Sequence, residues 1–173
     1  MGRSILANIF RHHRWSNLVL IDFLSGLRQE QLELTVPGTF GNSIDTIRHL
    51  ICGDADYVRI IPDAPRVPQC QPDGPFEGWI ELRRVADAAD TALISYVDGL
   101  TDDMFFIDVD DGEEFALSRS IMLAQIIHHA TEHRSHIRTT LSAHGVEPPE
   151  ISVWSWRKSE EGEASLSGLT RGS

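Results

Sequence analysis

The sequence predicts an all-α fold, a four-helix bundle with a small β-hairpin before the last helix. Three observations carry this. Four stretches of about twenty residues repeat their apolar side chains with the helical period. Turn and breaker residues, including Pro37-Gly38 and Pro148-Pro149, separate them. One short stretch near residue 110 instead alternates around Asp-Gly. At 173 residues the chain fits one domain with a proper core. We place that domain at 1–158 and a disordered tail, rich in Glu, Ser and Gly, at 159–173.

The first helix is expected over residues 4 to 26, on Ile5, Ile9, Leu20, Ile21 and Leu24. His12 and His13 fall inside it beside Arg11 and Arg14, and read as solvated basic surface. Residues 28–41 form a connector. Asn42 or Ser43 then caps a second helix over residues 43–61, which Pro62 ends. His49 lies off the centre of that helix's apolar arc, on the side of Gly53 and Tyr57. Asp45 and Asp56 flank the same side as candidate hydrogen-bonding partners, and a plain polar edge fits equally well.

Residues 62–75 hold Pro62, Pro65, Pro68, Pro72 and Pro75, so a stiff surface loop is expected. A third helix fits residues 76–98 and stops at Gly99. Residues 104–117 read as the hairpin. Its acidic residues Asp108, Asp110, Asp111, Glu113 and Glu114 lack the spacing of an EF-hand calcium loop. Ser118 or Ser120 caps the fourth helix, over residues 119–144. Ile151, Val153, Trp154 and Trp156 form an apolar segment after it, expected to pack on the bundle.

The fourth helix carries His128, His129, His133, His136 and His144. His129, His133 and His136 share a stripe roughly 60° wide at the edge of the apolar arc, and His128 faces solvent. Two histidines four residues apart on a helix can hold one metal ion. Polar surface is the competing reading.

Composition narrows the function classes. The formal net charge of -11 disfavours nucleic acid and anionic membranes as partners. No apolar run is long enough to span a membrane. Cys52 and Cys70 are too few for a disulfide framework, and read as reduced thiols in a cytoplasmic protein.

Three segments together resemble the DinB/YfiT-like family of metal-site helical bundles, which is unrelated to the similarly named DNA polymerase. They are Arg-His-His-Arg-Trp-Ser-Asn from residue 11, Val-Pro-Gly-Thr-Phe-Gly-Asn-Ser-Ile-Asp-Thr-Ile-Arg-His-Leu from residue 36, and Ile-Ile-His-His-Ala-Thr-Glu-His-Arg-Ser-His-Ile from residue 126. The likeness covers about residues 5 to 155. It implies His49, His129 and His133 as metal ligands, with His136 a neighbour of the site. It implies a divalent transition metal, zinc or nickel, and a homodimer. It also implies a metal-dependent transferase or isomerase acting with a low-molecular-weight thiol, with Tyr57 and His136 as accessory groups and no catalytic residue assigned. The alternatives are a stress-associated metal-binding protein without turnover and a dimeric bundle with a structural metal.

Overall fold

The structure is a computed structural model and describes residues 5–110 and 112–166. Four long helices make the bundle: α1 (Ile5–Ser25), α3 (Ser43–Ile60), α4 (Trp79–Asp98) and α5 (Arg119–Ala143). Short helix α2 (Gln29–Leu32) interrupts the first connector. Strands β1 (Phe105–Asp110) and β2 (Glu113–Ser118) form the hairpin before α5, and short helices α6 (Val153–Arg157) and α7 (Glu160–Leu166) follow it. No helix of the described residues is long and apolar enough to cross a membrane.

The helix starts are set by side-chain caps. Asn42 accepts from the Asp45 amide at α3, and Ser118 from the Ile121 amide at α5. The expected third helix starts three residues late, at Trp79, because Gly78 at φ 99° breaks the helical path. The hairpin is antiparallel, with Phe105 opposite Ser118 and Asp110 opposite Glu113. Gly112 at φ 82° makes its tight turn possible. Asp111 lies outside the described residues.

α1 packs on α4, α4 also on α3, and α3 on α5. The core between them includes Phe10, Leu20, Ile47, Leu50, Leu93, Ile126 and Ile137. α1 and α5 barely touch, which leaves a groove of about 830 Å³ bordered by Leu6, Ile9, Leu123 and Ile127.

Four expectations are corrected. The tail predicted to be disordered from residue 159 forms α7 over Glu160–Leu166. Ser159 holds its start by accepting from the Gly162 amide, and Glu161 pairs with Arg14 of α1. The rest of that tail, 167–173, lies outside the described residues. The two thiols read as reduced are instead a disulfide, Cys52–Cys70. The proline-rich loop folds back along α3 and brings the two Cα atoms to 4.9 Å, so the cysteines no longer argue for a reducing compartment. The apolar segment after α5 packs only in part, because Trp156 is buried while Trp154 stays 73% exposed. The fourth correction, His13, belongs with the polar side chains below.

Candidate metal centre

His49 stands on α3, and His129 and His133 stand one turn apart on α5. Packing of α3 against α5 closes a sequence gap of 80 residues and places His49 Nε2 3.2 Å from His129 Nε2. Ring centroids are 4.8 Å apart for His49 and His133, and 4.4 Å for His129 and His133. One ligand nitrogen from each residue lies within 4.8 Å of the other two.

That spacing fits a metal ion. Two nitrogens about 2.1 Å from one ion at a tetrahedral angle are separated by about 3.4 Å, close to the 3.2 Å between His49 and His129. The protonation states fit as well. Burial and the neighbouring His49 lower His129 to a pKa of about 4. Burial, then His129 and His49, lower His133 to about 4. Both rings are therefore neutral at pH 7, with a lone pair free for a cation.

Apart from the contact between His49 Nε2 and His129 Nε2, ring packing orients these imidazoles. Phe40 stacks on His49 at 4.3 Å and meets His133 edge-on at 4.8 Å. Tyr57 stands edge-on to His129 at 5.5 Å, and its hydroxyl accepts from Gln125 Nε2 at 3.3 Å. Gly53 makes the close approach possible, since a Cβ there would lie 3.0 Å from His129 Cε1. Among the described residues, the buried Nδ1 atoms of His129, His133 and His136 have no hydrogen-bond partner. Asp45 and Asp56, suggested as partners of this edge, turn elsewhere. Asp45 binds Asn42 at the cap of α3, and Asp56 pairs with Arg59.

The remaining histidines separate as the helical wheel suggests. His136 stands beside the group, its ring 5.7 Å from that of His133. His128 is exposed on the opposite side, at the rim of the groove between α1 and α5. His144 contacts the Thr35 carbonyl. Neither that groove nor the smaller cavity of about 260 Å³ along the disulfide is lined by His49, His129 or His133. Phe40, which packs on His49 and His133, is itself 49% exposed.

A second polar group lies deep in the bundle, and it overturns the reading of His13 as solvated surface. His13 is fully buried, with Nε2 3.1 Å from Asp54 and 3.0 Å from Asp90. Asn17 donates to both carboxylates and accepts from Arg134 at 2.7 Å. Burial works against charging His13, yet the pull of Asp90 and Asp54 raises its pKa to about 9. Burial raises Asp90 in turn, against the opposing pull of His13. His12 is half-buried and contacts the Ile151 carbonyl and Ser16.

The sequence held a signal for this group. His13 and Asn17 follow the spacing of Phe10, Leu20 and Leu24 on α1, and so occupy core positions. Asp54, Asp90 and Arg134 likewise fall within the apolar stripes of their own helices. Phe40 carried no such signal, because its contacts come from a connector.

No curated protein and no solved structure is significantly similar to the chain. The DinB family model matches residues 1–164, nearly the whole length, and with this fold it settles the family. The chain belongs to the DinB family.

Proposed function

We propose that this DinB-family protein binds one divalent transition metal, zinc or nickel, at His49, His129 and His133, and acts there on a low-molecular-weight thiol as a transferase. The observation that carries the proposal is the convergence of three imidazoles from two helices, two of them held neutral. An all-nitrogen donor set suits both metals, and three protein ligands leave room for a further one.

A bound ion would supply the Lewis acidity that keeps a thiol deprotonated at neutral pH. The chain's own residues do the rest. His129 and His133 offer unprotonated nitrogens because burial disfavours their charged forms, helped by His49 beside His129 and by His129 and His49 beside His133. Phe40 packs on the rings of His49 and His133 and holds their orientation. The Tyr57 ring and His136 lie next to the group as accessory side chains.

Cobalt(II) tests this directly as a coloured substitute for the native ion. The reading expects a tetrahedral visible spectrum at one equivalent, and a new ultraviolet charge-transfer band when cysteine is added as the thiol probe. A cobalt spectrum that cysteine leaves unchanged would favour a metal-binding protein without turnover. A homodimer remains part of the proposal. Its support is the exposed Trp154 and the apolar groove between α1 and α5, since Trp156 is buried within the chain. A monomeric mass at micromolar concentration would reject it.

A further inference from the structure

The His13 cluster offers the kind of ligands a divalent ion takes, one imidazole and two carboxylates. Its charges argue otherwise. Asp54 and Asp90 bring two negative charges and Arg134 one positive charge, so a single proton makes the cluster neutral. A divalent ion in its place would leave a net positive charge in a site closed to water. An uncompensated charge there costs several kcal/mol.

Asn17 faces His13 from α1, Asp54 from α3, Asp90 from α4 and Arg134 from α5, the last at 3.5 Å from Nδ1. The two hydrogens on Asn17 Nδ2 go to the two carboxylates. A hydrogen on His13 Nε2 would point between the same carboxylates, which lie 3.1 and 3.0 Å away. An imidazolium carries a hydrogen there. If the shared proton sits instead on one carboxyl group, the Arg134 guanidinium, which can only donate, faces Nδ1 and favours the neutral tautomer with its hydrogen on Nε2. In both cases Nε2 has no lone pair to give.

The cluster also lies in register with the three imidazoles. Asp54 follows Gly53, the residue packed against His129, and Arg134 follows His133. Asn17 joins those two side chains through one amide. An axial slip of α3 against α5 would break these short contacts.

We propose that this second group is a register pin and not a metal site. His13 keeps a hydrogen on Nε2 between Asp54 and Asp90, and the neutral cluster fixes α3 against α5 so that His49 meets His129 and His133. Its consequence for metal affinity rests on the reading of those three histidines as ligands.

Long-range proton–nitrogen NMR on the full ¹⁵N-labelled chain near neutral pH tests the first half, before and after addition of Zn²⁺. The expected result is a protonated His13 Nε2 that does not move, while the His49, His129 and His133 rings shift with the first equivalent. An unprotonated His13 Nε2, or one that shifts with Zn²⁺, would overturn the pin. If Zn²⁺ moves none of the four rings, the three-histidine reading fails and the pin stands on the Nε2 signal. Asn17→Ala tests the second half without metal. The variant is expected to keep its helix content and lose the nuclear Overhauser contact between the His49 and His129 rings. Arg134→Lys, which keeps the charge and loses the planar fork, serves if Asn17→Ala does not fold. An unchanged ring contact in a folded variant would overturn the register role.

Discussion

The bundle holds two histidine groups that share helices α3 and α5 and behave in opposite ways. The His49–His129–His133 group stands near the surface, is held by aromatic rings, and leaves buried ring nitrogens unpaired. The His13 group is fully buried and tied to two carboxylates, an amide and a guanidinium. One environment pushes imidazole pKa values down to about 4, and the other pushes one up to about 9. Burial disfavours the charged ring in both. The difference is the company: histidines beside histidines in the first, and carboxylates in the second. A group with free lone pairs suits a ligand, and a group with every charge answered suits architecture.

The largest expected effect separates the groups by stability. Asp90→Ala leaves His13 and Arg134 buried with one carboxylate fewer, and is expected to cost about 3–5 kcal/mol. That corresponds to roughly 10 °C in Tm for a chain of this size. His133→Ala in metal-free protein is expected to cost about 1 kcal/mol, because no hydrogen-bonded charge is broken. Thermal melts of both variants check the contrast, and equal losses would erase it.

Gly53→Ala sharpens the comparison from the other side. Alanine favours the helix by about 0.5–1 kcal/mol over glycine, while its Cβ would press on His129 at 3.0 Å. The variant is expected to melt no lower than wild type and to bind Zn²⁺ several-fold more weakly, by competition with a chromophoric chelator. Unchanged affinity would mean that His129 need not sit where it does.

The smallest effect is in pH. His13 has a folded pKa of about 9, above the unfolded value of 6.5, so its contribution is complete below about pH 6.5 and fades as pH rises through about 9. His129 and His133 are depressed to about 4, so their contribution is complete above about pH 6.5 and is lost as pH falls toward 4. Metal-free protein is therefore expected to melt highest near pH 6.5 and lose several degrees toward either side. A monotonic rise in Tm from about pH 4 to about pH 10 would contradict the two assignments together.

Much of this was legible in the sequence, for reasons that particular residues make plain. The long helices follow from apolar period and caps, and Asp111-Gly112 marks the hairpin turn. The spacing of His129 and His133 on one helix is local, so the wheel placed both at the edge of the core. His49 was undecided on its own wheel, and family resemblance singled it out. What stayed hidden depends on contacts between distant segments. His13 looked like surface because it lies among arginines, and its carboxylates are 41 and 77 residues away. Phe40 and the Cys52–Cys70 bond both come from connectors that fold back on the helices, which no periodicity encodes. The tail helix α7 depends on Ser159 and on Arg14 of α1, a contact its own composition does not announce.

The claim that the surface group is the metal site is tested most directly by metal analysis of protein purified without an affinity tag. Wild type is expected to carry one divalent transition metal per chain. His128→Ala should retain it, and His133→Ala should lose at least nine-tenths of it, about a tenfold effect of the kind a lost ligand produces. A metal-free wild type, or equal metal content in His128→Ala and His133→Ala, would contradict the assignment.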